Sequence, residues 1–256
     1  MIMCYALGMF TKGQATSIRS LQDKKYRQNT GLFLVEGEKS VAETLTSDFE
    51  IKTLLITKPF YTKYLKIIKD KKINCEIVEQ GEIENVGTLE SNNSALAIVK
   101  QKNTKPLESK VGENEIILVL DNVRDPGNLG TIIRIADWYG IKKVIASIGT
   151  VDLYNPKVIS ATKGSFTRVE VYYAELKNFL AGIKAPILGA FMNGENAHKT
   201  KFPKNGILVM GNESNGISHD LEKYITKKIT VPSFGQTESL NVAIATAILV
   251  DNWKRN

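Results

Sequence analysis

The chain has 256 residues, 43% of them hydrophobic and 24% charged, with a formal net charge of +7 and a pI of about 9.2. That balance suits one large globular domain or two ordinary ones, and no apolar run reaches the roughly 18 residues of a membrane-spanning helix, so no membrane partner is indicated. Cys4 and Cys75 with His198 and His219 supply neither a disulfide framework nor a zinc set; the thiols read as free, in a cytoplasmic protein, and the positive charge permits nucleic-acid binding without establishing it.

The opening MIMCYALGMFTKG is mildly apolar but lacks a basic leading region and a long apolar core, so it does not read as a signal peptide. Residues 12–27 then hold Lys12, Arg19, Lys24, Lys25 and Arg27 against one acid, Asp23. Ser17 is placed to cap a helix running through Lys24–Gln28, and Gly31 ends it. LFLVEG reads as a strand, and Glu38–Leu45 resumes a helical period. IKTLLIT is a strand, YTKYLKIIKDKK an amphipathic helix, and NCEIVEQ and SALAIVKQ are strands. The lysine-rich stretch 99–115, with Pro106 and Gly112 and no apolar period, reads as a domain boundary. This gives an N-terminal domain over 1–105, a linker over 106–114 and a second domain over 115–256.

The second part alternates again. EIILVLDNV, KKVIASIG, TRVEVYY, PILGAFM, GILVMGN and KKITVPS read as short apolar strands. NLGTIIRIADWYG, NPKVISATKGS, ELKNFLAGIK and SLNVAIATAILVDNWK read as helices. Such alternation belongs to an α/β fold with a mostly parallel sheet covered on both faces, and ligands in such sheets sit beyond the carboxyl ends of the strands.

Three segments in the second part follow strands and carry candidate chemistry. In DNVRDPGNLGTIIRIADWYG (121–140), Asp125-Pro126-Gly127 makes a turn and Asn128 is placed as the cap of the next helix. Arg134 sits nearly two turns later among Ile132, Ile133, Ile135 and Ala136, an apolar setting for a surface charge. In ILVMGNESNGIS (207–218) a buried strand runs into Gly211, Asn212, Glu213 and Gly216, where small residues let backbone approach a ligand. In ITVPSFGQTESLNVAIATAILVDNW (229–253), Val231-Pro232 ends a strand, and Ser239 and Asn241 are capping residues of a helix apolar around most of its circumference. That helix is expected to be buried or to form a subunit interface. No G-x-G-x-x-G or Walker loop follows the first strand, which speaks against an unrelated nucleotide-dependent enzyme.

Taken in order, the Asn-Leu-Gly…Arg-x-Ala, Gly-Asn-Glu…Gly and Pro…Ser-Leu-Asn-Val…Ala segments resemble the three motifs of the SpoU (TrmH) family of S-adenosylmethionine-dependent RNA methyltransferases, over residues 115–253. Lys24-Lys25…Arg27 and Phe33-Leu34-Val35-Glu36-Gly37 resemble, over a shorter stretch, the substrate-binding domain often fused in front of that enzyme, of the ribosomal-protein L7Ae/L30e-like type. The chain departs from the family pattern at Ser214, where glycine is usual, and at Asp137-Trp138-Tyr139, which is bulkier and more polar.

The resemblance implies an α/β-knot of the SPOUT type, a deep trefoil knot that periodicity does not reveal. It also implies a cofactor, S-adenosylmethionine, held near Phe191, Met192, Gly211, Val231 and Leu240, with the loop from Phe191 to Gly194 lining the pocket. The implied reaction is methyl transfer to a ribose 2′-hydroxyl, with Arg134, Asn128, Glu213, Ser239 and Asn241 as the catalytic set and no metal. Arg134, too poor a base in free form, is expected to orient and polarise the hydroxyl together with Asn128, Ser239 and an RNA phosphate. Glu213 is expected to hold Arg134 or a neighbouring subunit. The implied partners are RNA, ribosomal RNA ahead of transfer RNA, contacted through Lys12, Arg19, Lys24, Lys25 and Arg27, and a second copy of the chain in a homodimer through the C-terminal domain. A catalytically inactive RNA-binding or ribosome-assembly factor is the competing reading.

Overall fold

The computed structural model describes residues 5–6, 12–103 and 107–255. Most of the apolar opening segment, Cys4, the last two residues of the expected first domain (104–105) and Pro106 at the start of the expected linker lie outside them. Two compact units result: one comprises Met1–Asn103 with Asp152–Thr167, the other Thr104–Val151 with Arg168–Asn256.

The first unit runs β1 (Tyr5–Ala6), α1 (Lys12–Ser20), α2 (Lys24–Thr30), β2 (Leu32–Glu36), α3 (Glu38–Thr46), β3 (Ile51–Ile56), α4 (Lys58–Asp70), β4 (Cys75–Ile77), α5 (Gln80–Val86) and β5 (Ala95–Lys100). Its sheet has the order β1-β4-β3-β5-β2; β5 is antiparallel to both neighbours, and the β1–β4 and β4–β3 pairs are parallel. Two of the expected details differ. Ser17 is not a cap: it lies inside α1 and its hydroxyl donates back to the Gly13 carbonyl at 3.0 Å. The cap of the next helix is Asp23, whose carboxylate accepts the Tyr26 N–H at 2.9 Å. Gly31 closes that helix in the left-handed region, at φ 65°, where glycine carries no Cβ penalty. Helix α5 has no counterpart in the apolar pattern; a reciprocal capping box between Glu79 and Glu82 starts it.

The second unit runs β6 (Ile116–Leu120), α6 (Pro126–Trp138) and β7 (Lys143–Ser147). After the Asp152–Thr167 segment, with α7 (Pro156–Thr162), it continues as β8 (Glu170–Ala174), α8 (Leu176–Ala181), β9 (Ile187–Asn196), β10 (Gly206–Met210), α9 (His219–Glu222), β11 (Lys227–Thr230) and α10 (Val242–Lys254). All six strands pair in parallel, in the order β11-β9-β10-β6-β7-β8. Strands β6 and β10 are buried at every position, which explains why they read as continuous apolar runs rather than alternating ones. Ile117, Val119, Ile145, Ile207 and Val209 form one core cluster with Leu180. Leu107 and Val111, from the stretch expected to be linker, pack on that cluster.

The Asp152–Thr167 segment belongs to the first unit although it interrupts the second in sequence. Tyr154 and Phe166 pack on Phe33 with ring centroids 4.5 and 5.9 Å apart, and Phe166 meets Phe49 at 5.5 Å. Arg27 is 1% exposed; its guanidinium donates to Asp152 at 2.7 Å and to the carbonyls of Leu21 and Gln22 at 3.0 and 2.8 Å. A buried charge requires partners of this kind.

Candidate active site

In the second unit the side chains of interest sit on loops at the carboxyl ends of β6, β9, β10 and β11. After β6 comes Asp121, 3% exposed, whose carboxylate accepts the Ser218 N–H at 2.7 Å and the Asn122 amide at 2.8 Å. Asn122 donates its own N–H to Ser147 and accepts, at its carbonyl, the Asn212 amide at 2.7 Å. The loop after β10 is therefore tied to the loop after β6 at both of its ends. Asn212 also accepts the N–H groups of Ser214 and Asn215, and the backbones of Asn212 and Gly216 exchange two hydrogen bonds at 2.9 Å. Gly211 has no room for a side chain: a Cβ there would collide with the carbonyl of Gly216 and the nitrogen of Ile217.

Helix α6 begins one turn earlier than a cap at Asn128 would place it. Asp125 is the cap, its carboxylate accepting the Asn128 N–H at 2.8 Å, and Pro126 occupies the first turn, where no N–H is needed. The Asn128 side chain is thereby released for other bonds. Its amide nitrogen donates to Glu213 at 2.7 Å, and its amide oxygen accepts from Asn241 at 2.8 Å. Asn241 caps α10, its oxygen accepting the N–H groups of Ala243 and Ile244. One amide, Asn128, thus joins three loops separated by 85 and 113 residues of sequence.

Arg134 and Ser239 stand apart from this bonded cluster. Ile132, Ile133 and Ala136 turn inward and Arg134 is exposed on the other side of α6. Its apolar neighbours in sequence are the buried face of an amphipathic helix. The expectation that Glu213 holds Arg134 is corrected: Glu213 accepts from Asn128 and Asn212. Ser239 is exposed in the loop that leads into α10.

Of the expected pocket residues, Phe191 and Met192 lie on β9, Gly211 and Val231 directly follow the neighbouring β10 and β11, and Leu240 lies in the loop before α10. The pairing of β9 with β11 jumps from Gly189–Lys228 to Glu195–Ile229, leaving residues 190–194 without a partner in that register. Phe191 packs on the core cluster, Met192 is 67% exposed, and the Met192 carbonyl accepts the Thr230 hydroxyl at 3.1 Å. At Gly194 a Cβ would stand 2.8 Å from the backbone of Lys228 and Ile229, so this position also brings backbone against backbone. Val231 is half-buried and Leu240 is 48% exposed.

In the first unit, the five expected RNA-contacting cations divide. Lys12, Lys24 and Lys25 are exposed. Arg19 is held by Asn85, donating to its carbonyl at 2.9 and 3.0 Å and to its side chain at 2.8 Å. Arg27 is corrected outright: buried against Asp152, it has no access to a phosphate.

Residues 115–251 match the model of the SpoU rRNA Methylase family, and residues 14–97 match that of an MRM3-like substrate binding domain. The chain is 32% identical over 238 residues to the 23S rRNA (guanosine(2553)-2′-O)-methyltransferase RlmP of Bacillus subtilis (strain 168), an alignment covering 91% of this chain and 92% of the relative. The chain belongs to the SpoU methylase family. Among solved structures, an AdoMet-bound rRNA methyltransferase from Sinorhizobium meliloti superposes with a TM-score of 0.86 at 28% identity over 98% of each chain. A TrmH-family chain from Porphyromonas gingivalis gives 0.83 at 32% identity, covering 97% of this chain and 99% of that one.

In this SpoU methylase the side chains that tie the three motifs to one another are Asn128, Glu213 and Asn241, and sequence reading named all three. It gave no role to Asp121, Asn122 or, within the second motif, Asn212, which hold that motif in place. A carboxylate placed directly after the buried strand IILVL was the available signal, since such a group needs donors. Of the departures from the family pattern, Ser214 is absorbed by its N–H bond to Asn212. Asp137 is ion-paired with Arg168 at 2.8 Å, Tyr139 donates to Asp251 at 3.0 Å, and Trp138 stays 85% exposed.

Proposed function

We propose that this chain transfers a methyl group from S-adenosylmethionine to a ribose 2′-hydroxyl in structured RNA, with ribosomal RNA the favoured substrate. The observation that carries this reading is the Asn128 bridge, which fastens the three motif loops into one site. The pocket fits the cofactor by its chemistry. Backbone packs closely at Gly194 and Gly211, and the apolar side chains of Met192 and Leu240 are left exposed. A flat purine between such groups is oriented by backbone and by shape. When bound, the cofactor supplies a methyl group on a positively charged sulfur, a centre that requires no Lewis acid. Asn128, Glu213 and Asn241 fix the loops. Arg134, with its guanidinium unspent on any described residue, orients and polarises the incoming hydroxyl and an adjacent phosphate, and Ser239, exposed in the loop before α10, is proposed to assist it.

The finer features belong to the same proposal. The strand order, with β11 outside β9, and the close packing of Gly211 on Gly216 and Ile217 support a trefoil knot of the SPOUT type. The L7Ae/L30e-like RNA-binding domain expected over 1–105 is read as the first unit, Met1–Asn103 with Asp152–Thr167 added, and the methyltransferase domain expected over 115–256, with the 106–114 stretch, as the second. The face of α10 carrying exposed Ile244 supports a homodimer. The location is taken as cytoplasmic.

The direct test uses the purified full chain, S-adenosylmethionine labelled in its methyl group, and ribosomal RNA from cells lacking the gene. Label is expected in RNA, and in dinucleotides that survive alkaline hydrolysis, because a methylated 2′-oxygen cannot attack the neighbouring phosphate. Arg134→Ala is expected to lower the rate by roughly 10²-fold or more, the scale on which removing one electrostatic stabiliser acts. Label confined to bases, or an Arg134→Ala rate near wild type, would contradict the assignment. Binding of the cofactor by calorimetry without transfer to any RNA would favour the inactive-factor reading.

A further inference from the structure

The first unit matches a substrate-binding domain, yet two of the five cations that sequence reading assigned to RNA are occupied by the fold. Arg27 is buried against Asp152, and Arg19 is held by Asn85. The exposed Lys12, Lys24 and Lys25 are divided between α1 and α2, whereas positive charge is gathered along a single helix on α4 and just beyond it. Between positions 58 and 72 stand Lys58, Lys63, Lys66, Lys69, Lys71 and Lys72 against one acid, Asp70. The structure sorts these lysines. Lys63 pairs with Glu38 at 2.6 Å, Lys71 donates to the Ser47 carbonyl at 2.5 Å, and Lys72, at φ 52°, lies past the end of the helix. Lys58, Lys66 and Lys69 are exposed and have no ion-pair partner among the described residues.

Helix geometry places those three together. At 3.6 residues per turn, positions 58, 62, 66 and 69 fall within about 80° of the circumference. The opposite side carries Phe60 and Ile68, which are buried, and Tyr64, whose ring stacks on Phe60 with centroids 4.4 Å apart. Between the lysines of the ridge stands only Thr62, exposed and uncharged. The result is a straight cationic ridge on a helix anchored by aromatic packing, roughly 16 Å from Lys58 to Lys69 at 1.5 Å per residue.

We infer that this α4 ridge, rather than the 12–27 stretch, is the surface through which the first unit grips the RNA backbone. The inference rests on the proposed RNA substrate and deepens it. Lysine ammonium groups spaced along a rigid axis neutralise phosphates. The ridge carries no aromatic side chain and no amide that would read a base edge, so it contributes affinity and register but not choice of nucleotide.

The test compares three full-length proteins: wild type, Lys58→Gln/Lys66→Gln/Lys69→Gln, and Lys12→Gln/Lys24→Gln/Lys25→Gln. Each is measured for binding to ribosomal RNA across a salt series and for methyl transfer. Removing three phosphate contacts should lower the slope of log affinity against log salt by about 2 and weaken binding at moderate salt on the order of 10-fold or more. For the ridge variant this loss is expected in RNA affinity and in KM, with kcat at saturating RNA, cofactor binding and the modified nucleotide unchanged. The second variant is expected to change both by much less. A ridge variant with wild-type affinity and salt slope overturns the inference, and does so most plainly if the 12–25 variant carries the loss instead. A wild-type chain that binds RNA but transfers no methyl overturns the proposed activity, while the binding series still judges the ridge. A wild-type chain that binds no RNA overturns the ridge as well.

Discussion

Asn128 shows how a residue's role depends on which neighbour takes the more ordinary task. In the sequence it reads as a helix cap, because Asn, Ser and Asp all serve there. Asp125 takes that role instead, and the Asn128 amide is left to hold Glu213 with its donor and Asn241 with its acceptor. No local pattern distinguishes the two assignments; the deciding partners lie 85 and 113 residues away. Asn128→Ala removes both bonds and should lower kcat/KM by about 10²-fold, comparable to losing a preorganised donor. Asn128→Asp should be at least as damaging, because it replaces the amide donor to Glu213 with an acceptor that faces the Glu213 carboxylate. Steady-state kinetics of the two variants with the folded state checked by circular dichroism would measure this, and retention of wild-type kcat/KM by Asn128→Ala would show that the bridge is dispensable. Apart from its place in the motif, Arg134 was legible as unusual through its apolar neighbours; of these, Ile132, Ile133 and Ala136 are the inward face of α6.

Among the elements, the long apolar strands and helices were legible because their burial is strong and their period local. Helix α5 was not, since its start depends on a Glu79–Glu82 capping box rather than on an apolar stripe. The grouping of Asp152–Thr167 with the first unit was also invisible, because it depends on contacts such as Phe33 with Tyr154 and Arg27 with Asp152 across more than 100 residues. Asp152→Ala leaves a buried guanidinium without its counter-charge and should destabilise the first unit on the order of 3 kcal/mol. Urea unfolding would record the change, and a shift below about 0.5 kcal/mol would place the pair among those of surface strength. At α10, apolar character around most of the helix is only partly used within the unit: Val242, Thr246, Leu249 and Trp253 face inward, while Ile244 is 53% exposed. If that face covers a second copy, Ile244→Asp should shift the protein from dimer to monomer in sedimentation at micromolar concentration. A wild-type protein already monomeric there would remove the dimer from the proposal.

At the scale of the whole molecule, the class of fold follows from alternation of short apolar strands with helices, and the six parallel strands from β11 to β8 have that form. The order in which those strands lie, with β9 between β10 and β11, does not follow from periodicity, because pattern records which face is buried and not which neighbour buries it. The site was legible through the order of three motifs, and its internal wiring through Asp121, Asn122 and Asn212 was not. The most direct measurement of the activity is a map of 2′-O-methylation across total RNA from a strain lacking the gene, its parent, and the deletion strain complemented with Arg134→Ala. One ribose mark in ribosomal RNA is expected to be present in the parent, absent in the deletion and unrestored by the variant. Identical maps in deletion and parent, or a lost mark restored by Arg134→Ala, would contradict the assignment.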